Sequence, residues 1–186
     1  ASSAIDMNGG VLEFRNEGNL DFNSLTTGKN VYLRANSTFY TGPAEGGEAV
    51  NGLTTMGTLR VAANTTGTFN SRNGYGFTLQ AWTQESANNP NTITNNMGGD
   101  LTFTAGVWGN SDGTARTLTF NGNGNTILKG SITATGANHV LSKGGTGRLV
   151  IEGTGGTYLG NTNITQGAVQ IADFRSINNN TAAITL

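Results

Sequence analysis

The chain has no cysteine, only two prolines and only one histidine in 186 residues. The absence of cysteine excludes disulfide bridges and thiolate metal ligands, and metal sites built from His and Cys clusters are excluded by count. No run of eighteen apolar residues is present, so the sequence predicts no transmembrane helix and no direct membrane insertion. We therefore expect neither a small disulfide-stapled fold nor a zinc module.

Charged residues are also scarce. They make up 11% of the chain and leave a net charge of −1, which excludes a basic nucleic-acid-binding patch and a polybasic membrane surface. The polar surface is supplied instead by Asn, Thr, Ser and Gln. Such neutral surfaces are typical of extracellular proteins, and we expect an extracellular or bacterial cell-surface location.

One short apolar phrase recurs along the whole chain. Each copy has two or three apolar residues spaced by single polar ones and is flanked by Gly, Asn and Thr. Seven steps lead from Leu12 to Val169, so the mean step is about 22 residues, within the range of stacked repeat units. The copies lie at residues 11–14, 31–33, 59–61, 77–79, 101–103, 118–120, 149–151 and 169–171.

This pattern predicts an all-β chain. Apolar and polar side chains alternate at period two, as in a strand with one inward and one outward row. The 29 glycines and many threonines disfavour helices, and no stretch of ten residues has helical spacing. Asn-Gly pairs, which readily form positive-φ turns, separate the strands at 8–9, 51–52, 73–74, 121–122 and 123–124.

The hydrophobic content of 35% is lean for a compact sandwich but sufficient for a solenoid, in which each coil adds one or two inward residues per strand. We predict a single β-solenoid segment over residues 1–186, with about eight coils. Two stretches interrupt the rhythm, near 41–52 and 85–99, and contain the only prolines, Pro43 and Pro90. Because proline cannot donate to a strand ladder, we expect both stretches to be projecting loops.

Residues 141–171 read LSKGGTGRLVIEGTGGTYLGNTNITQGAVQI. This stretch resembles the autotransporter-associated β-strand repeat, also called the passenger-associated transport repeat. Weaker copies occur around 130–136 and 8–12. The matching elements are Leu141, Lys143, the 145–147 turn, Leu149, Ile151, Gly153, Tyr158, Gly160, Thr162, Ile164, Gly167, Val169 and Ile171.

The resemblance implies a right-handed parallel β-helix of the kind found in secreted and cell-surface bacterial passengers, often as stalk or adhesin segments. In such a helix, like residues stack into interior files. Gly145, Gly147 and Gly167 fall where the path must bend between faces, so we expect them to be structural turn residues. Replacing them should cost more stability than replacing Thr146.

No residue pattern predicts catalysis or a cofactor. The single histidine, His139, stands beside Val140 in a strand without a nucleophile motif, and we interpret it as structural. The densest cluster of acidic residues is Asp6, Glu13, Glu17 and Asp21, and the next is Glu45 and Glu48. Glu13 and Arg15 share the outward side of their strand, which favours surface charge balance over an acid/base pair. The glycine-rich calcium nonapeptide is not present. We expect no enzyme activity, no metal and no cofactor.

Trp82 and Trp108 are the candidate ligand contacts. Both fall on the polar parity of their strands and lie 26 residues apart, about one coil, so they could stack outside the rod and bind sugar rings or another protein. The alternative is that both pack beneath a loop such as 85–99.

The ends of the chain, residues 1–7 and 181–186, read as ordinary strands without a capping helix. Open solenoid ends invite pairing with another chain. The leading hypothesis is a non-enzymatic surface rod, a stalk or adhesin spacer facing a host cell, a neighbouring cell or glycans. The alternatives are a subunit of an extracellular filament assembled end to end, and a carbohydrate-binding or carbohydrate-active β-helix.

Overall fold

The computed structural model of the chain describes residues 4–22, 29–85, 90–106, 115–134, 139–173, 176 and 184–186. Within these residues the backbone forms nineteen β-strands and no α-helix. Every strand pairing among them is parallel. The prediction of an all-β parallel solenoid is confirmed.

The strands form three sheets, in each of which consecutive members are hydrogen-bonded neighbours. Sheet A contains β1 (Ile5–Asn8), β4 (Val31–Ala35), β7 (Leu59–Val61) and β10 (Trp82–Gln84). Sheet B contains β2 (Val11–Arg15), β5 (Ser37–Gly42), β8 (Thr66–Ser71), β11 (Asn91–Asn96), β13 (Thr117–Gly122), β15 (Val140–Lys143), β17 (Asn161–Ile164) and β19 (Ile184–Thr185). Sheet C contains β3 (Leu20–Asp21), β6 (Leu53–Met56), β9 (Gly76–Leu79), β12 (Leu101–Phe103), β14 (Thr126–Leu128), β16 (Arg148–Ile151) and β18 (Ala168–Ile171).

The chain visits these sheets in the cyclic order A, B, C over its first four coils, so each coil adds one strand to each sheet. Residues one coil apart are register partners. Phe77 pairs with Leu101, 24 residues on, and Leu101 pairs with Thr126, 25 residues further. The result is a β-solenoid of about six turns.

The predicted number of eight coils differs slightly from the six turns of the structure, because the apolar phrase occurs on all three faces. The copies at 31–33 and 59–61 lie in sheet A, the copy at 11–14 lies in sheet B, and the copy at 77–79 lies in sheet C. The mean step of the phrase therefore mixes strands of different faces and underestimates the length of a coil.

The core is a narrow column between the sheets. Phe39 and Phe69 are register partners in sheet B, both fully buried, and their rings stack with centroids 4.7 Å apart and planes 8° from parallel. Phe77 of sheet C meets these rings edge-on, at centroid distances of 5.8 and 5.5 Å. Files of like residues follow from a parallel register, since each coil places its side chains directly over those of the coil before.

Further along sheet B the same interior file becomes polar. Asn95 pairs with Phe69 and is fully buried. Its amide nitrogen donates to the carbonyl of Asn125 at 2.7 Å and to the hydroxyl of Thr126 at 3.2 Å, while its oxygen accepts from the N–H of Met97 at 3.0 Å. The side chain thus satisfies backbone groups at the corner where the strand ladder stops.

The predicted loop at 85–99 is wrong over residues 91–96. Strand β11 occupies Asn91–Asn96 in the middle of sheet B, between β8 and β13. Pro90 precedes the strand, where its missing N–H removes no ladder bond. Asparagine usually favours turns, but Asn91 points inward, and its oxygen accepts from the N–H of Thr65 at 2.9 Å. Residues 86–89 of this stretch lie outside the described residues.

The other predicted loop is shorter than expected. Thr41 and Gly42 end strand β5, and residues 43–52 connect it to β6. The carboxylate of Glu17 accepts hydrogen bonds from the N–H groups of Ala44 at 2.8 Å and Ala49 at 3.3 Å. The connection therefore folds around a side chain of the preceding coil.

The turn glycines lie at the corner between sheets B and C. Gly145 and Gly167 have φ values of +66° and +77°, and Gly122 in the coil below has +94°. A Cβ on Gly167 would lie 2.4 Å from the carbonyl oxygen of Gly145, and one on Gly145 would lie 2.3 Å from that of Gly122. Gly147 is not left-handed, but a Cβ there would lie 2.1 Å from the carbonyl oxygen of Gly124. These corners require glycine for both conformation and close backbone approach.

Candidate functional site

Trp82 is not a surface ligand contact. The residue is 1% exposed and pairs with the fully buried Leu59 in sheet A. Its ring meets that of Phe103 at a centroid distance of 6.3 Å and an angle of 75°. The prediction of an exposed Trp82 is therefore wrong, and the other candidate, Trp108, lies outside the described residues.

The physical reason lies in the corner that precedes Trp82. The prediction continued the alternation of β9 through Gln80 and Ala81. The chain instead leaves sheet C after Leu79 and joins sheet A at Trp82, so the alternation starts anew. Side-chain parity holds within a strand and is lost at a bend.

His139 is also internal, at 1% exposed, and its carbonyl oxygen accepts from the N–H of Asn161 in the next coil at 2.9 Å. A general base must reach a proton on its substrate, and an imidazole closed off from solvent offers no such access. The position fits the structural role that we expect from the sequence.

The four acids of the densest cluster do not converge. Asp6 lies in sheet A, Glu13 in sheet B and Asp21 in sheet C, while Glu17 lies in the turn between β2 and β3. Among the residues that the structure describes, no three His, Cys, Asp or Glu side chains form a group that could hold a metal ion.

Sheet A presents a charged outer face. Arg34 pairs with Asp6 at 3.1 Å and with Glu85 at 2.7 Å. The guanidinium groups of Arg34 and Arg60 lie over the ring of Tyr32, at 4.7 and 5.4 Å from its centroid. The Arg34 guanidinium is solvent-exposed, so water screens both pairs and they add little to stability.

Sheet B presents a neutral outer face. From β5 to β19 its outward side chains carry no formal charge, since Lys143, the one charged residue in these strands, is 3% exposed and turned inward. Two adjacent outward files carry hydroxyl and amide groups. One file is Thr66, Thr92, Thr119, Ser142, Asn163 and Thr185, and the other is Thr38, Thr68, Thr94 and Asn121.

Charge returns to sheet B only at its first strand. Glu13 and Arg15 in β2 both point outward and pair at 3.3 Å, as the sequence predicts. The guanidinium group of Arg15 lies over the ring of Tyr40 in the next coil, 4.4 Å from its centroid. This charged end marks the boundary of the neutral face.

Sheet C bears an open groove of about 450 Å³. Its lining includes the register partners Thr78 and Thr102 together with Thr104, and Asp100 and Lys129 supply one charge of each sign. Gly52, Gly74, Gly76 and Gly99 also line the groove. The groove combines hydroxyl groups with an isolated carboxylate and an isolated amine, without the paired acids that glycoside cleavage requires.

Lys143 and Tyr158 are ionisable side chains that make hydrogen bonds inside the rod. The ammonium group of Lys143 donates to the carbonyl oxygens of Gly144, of Gly145 at 2.8 Å and of Gln166 at 3.5 Å, and burial lowers the pKa of Lys143. The hydroxyl of Tyr158 accepts from the N–H of Leu141 at 2.7 Å, and burial raises the pKa of Tyr158. Both side chains join neighbouring coils.

The neutral face of sheet B is the feature that sequence reasoning missed. Its signal is a Thr-x-Thr pattern at 66–68, 92–94 and 117–119. This pattern has the same period-two spacing as the apolar phrases, but on the outward row.

No known protein-family model, curated protein or solved structure matches the chain. The likeness of residues 141–171 to the passenger-associated repeat therefore remains a prediction from the residues themselves. The described part of the chain contains no helix with the length and apolarity that a membrane span requires. The fold defines the class of protein, a parallel β-solenoid.

Proposed function

We propose that this chain is a non-enzymatic, cell-surface or secreted β-solenoid rod that serves as a stalk or adhesin segment of the autotransporter-passenger type. The observation that carries this proposal is the parallel register from one coil to the next. Each coil lengthens the rod by one strand spacing, so six turns give about 30 Å of axial length. The length of the rod therefore grows in proportion to the number of coils.

The surface chemistry agrees with an extracellular setting. Only 11% of the residues are charged, and the longest sheet is neutral on its outer face from β5 to β19. The stability of the rod rests on buried ring stacks and corner glycines, which do not depend on the redox state of the compartment. A host surface, a neighbouring cell or a glycan is the expected partner of such a segment.

The location of the protein in the cells that make it tests the proposal. An antibody against this segment should label intact cells that make the protein, at the same level before and after permeabilisation. Labelling that requires permeabilisation would contradict a surface role. Cleavage of any polysaccharide by the purified chain would contradict the non-enzymatic assignment.

A second candidate is a subunit of an extracellular filament. Among the described strands of sheet B, β2 and β19 each pair on one side only, and Val11 in β2 is 62% exposed. Unpaired parallel edges can add a further strand from another copy. Electron microscopy of the purified chain separates the two functions, because short uniform rods argue for the stalk and long fibres argue for the filament.

A further inference from the structure

The outward face of sheet B is a two-dimensional array. Along each file, register partners are one strand spacing apart, about 4.7–4.9 Å, and the two files are two residues apart along the strand, about 6.6 Å. The register runs without a shift from β5 to β17. The hydroxyl and amide groups therefore repeat in both directions across several coils.

The side chains of this array hold their polar groups in fixed directions. Threonine is branched at Cβ, which restricts its rotamers, so its hydroxyl and methyl groups keep fixed directions. Thr66, Thr92 and Thr119 stand one above the other and are half-buried, because each shields the next. A water molecule bound to one hydroxyl then has an equivalent neighbour on the next coil.

The chemistry of the face narrows the class of partner. The absence of charge between β5 and β19 on the outward row disfavours nucleic acids, acidic peptides and anionic membranes. Sugar rings bind by stacking on aromatic side chains, and neither file contains one. The aromatic ring of the outward row, Tyr40 in β5, lies under the guanidinium group of Arg15. A neutral and regularly spaced partner remains, and solid water is of this kind.

We propose that the outward face of sheet B binds ice. Waters held by hydroxyl groups at these two regular spacings would form an ordered layer, which a growing ice surface can extend. Ordering them further costs little entropy, because they are immobilised before the ice front arrives. A charged side chain would hold its own hydration shell in another geometry, and the outward row from β5 to β19 has none. The proposal adds a binding face to the rod and does not depend on the stalk function.

Partition into slowly growing ice tests this proposal, with the purified chain and pure ice as the probe. The wild-type chain should be enriched in the ice fraction relative to the liquid and should shape the growing crystals. Thr92→Lys and Thr94→Lys place a charge in the array and should reduce the enrichment to the level of a protein that ice excludes. Thr102→Lys is the matched control, because Thr102 is a half-buried outward threonine of the same coil, in sheet C.

Circular dichroism establishes that each variant is folded, and Thr119→Lys, one coil further on, replaces Thr92→Lys should the latter not fold. Exclusion of the wild-type chain from ice overturns the proposal. An equal loss in Thr102→Lys overturns it too, since binding would then not belong to sheet B. Retention on microcrystalline cellulose or chitin, without retention on ice, would assign the array to a crystalline polysaccharide instead.

Discussion

Two separate physical effects fix the corner glycines, and four alanine substitutions separate them. Gly145 has both a left-handed backbone and a close neighbour, Gly147 has the close neighbour alone, and Gly155 has the left-handed backbone alone, with φ +74° and no atom within 4 Å of an added Cβ. Thr146, between the first two, is exposed and has neither constraint. The four variants therefore test which requirement for glycine contributes more to stability, the left-handed backbone or the close contact with the neighbouring coil.

The structure sets the expected magnitudes. In Gly155→Ala the left-handed region costs about 1–2 kcal/mol, of which the lower entropy of the unfolded chain returns about 0.4–1, leaving about 1 kcal/mol of destabilisation. In Gly147→Ala the new Cβ meets a carbonyl oxygen at 2.1 Å, whereas ordinary contact begins at 3.4 Å. Overpacking of this kind costs about 1–3 kcal/mol.

The clash also disturbs the ladder. Moving the coils apart by about 1 Å stretches the 3.0 Å bond from the N–H of Gly147 to the carbonyl of Gly122 beyond hydrogen-bond range and loses about 1 kcal/mol more. We expect Gly147→Ala to lower the free energy of unfolding by about 3 kcal/mol in total. For Gly145→Ala we expect about 4 kcal/mol, because the strain of a left-handed backbone adds to the clash. Thr146→Ala should stay within about 0.5 kcal/mol of wild type.

Urea denaturation measures these differences, with hydrogen exchange of residues 141–171 as a local readout where a repeat array does not unfold in one step. The expected order of destabilisation is Gly145→Ala, Gly147→Ala, Gly155→Ala, Thr146→Ala. A larger loss in Gly155→Ala than in Gly147→Ala would refute the reasoning, because backbone strain and not coil spacing would then dominate. Equal values for Thr146→Ala and Gly147→Ala would refute it as well.

Three further predictions concern side chains that pack or form hydrogen bonds between coils. Phe69→Ala should lower the free energy of unfolding by about 3–5 kcal/mol in urea, and a loss below about 1 kcal/mol would contradict a tightly packed ring stack. Because burial raises the pKa of Tyr158, the folded chain keeps the phenol proton above pH 10, whereas the unfolded chain releases it. The free energy of unfolding of the wild type should therefore fall above pH 10 by up to about 1.4 kcal/mol per pH unit. The free energy of unfolding of Tyr158→Phe should fall less steeply over the same range. Glu17→Ala should speed amide exchange at Ala44 and Ala49, and unchanged protection would mean that the carboxylate does not hold the 43–52 connection.

The fold was predictable because its signal is local and repeated. Period-two phrases flanked by glycine and asparagine specify strands and turns without reference to the rest of the chain. The number of coils was not predictable in the same way. A phrase such as 31–33 looks the same as one at 77–79, although the first belongs to sheet A and the second to sheet C.

The interior polar residues were harder to predict for a different reason. An asparagine-rich stretch indicates a turn when the amide is solvated, but in β11 Asn91 and Asn95 bind backbone groups inside the rod. Whether such an amide finds a partner depends on the coil above and the coil below. Sequence propensity averages over these environments and therefore favoured the loop.

The neutral array required the register between coils, which the sequence does not contain. The Thr-x-Thr patterns suggest that Thr117 aligns with Thr92, but the partner of Thr92 is Thr119, while Thr117 pairs with Val140. The connections between coils vary in length and absorb such offsets without moving the strands. A slip of one residue within a strand would instead turn the hydroxyl row inward and expose the apolar row. The buried side chains, such as Ile93 between two outward threonines, therefore fix the outer array.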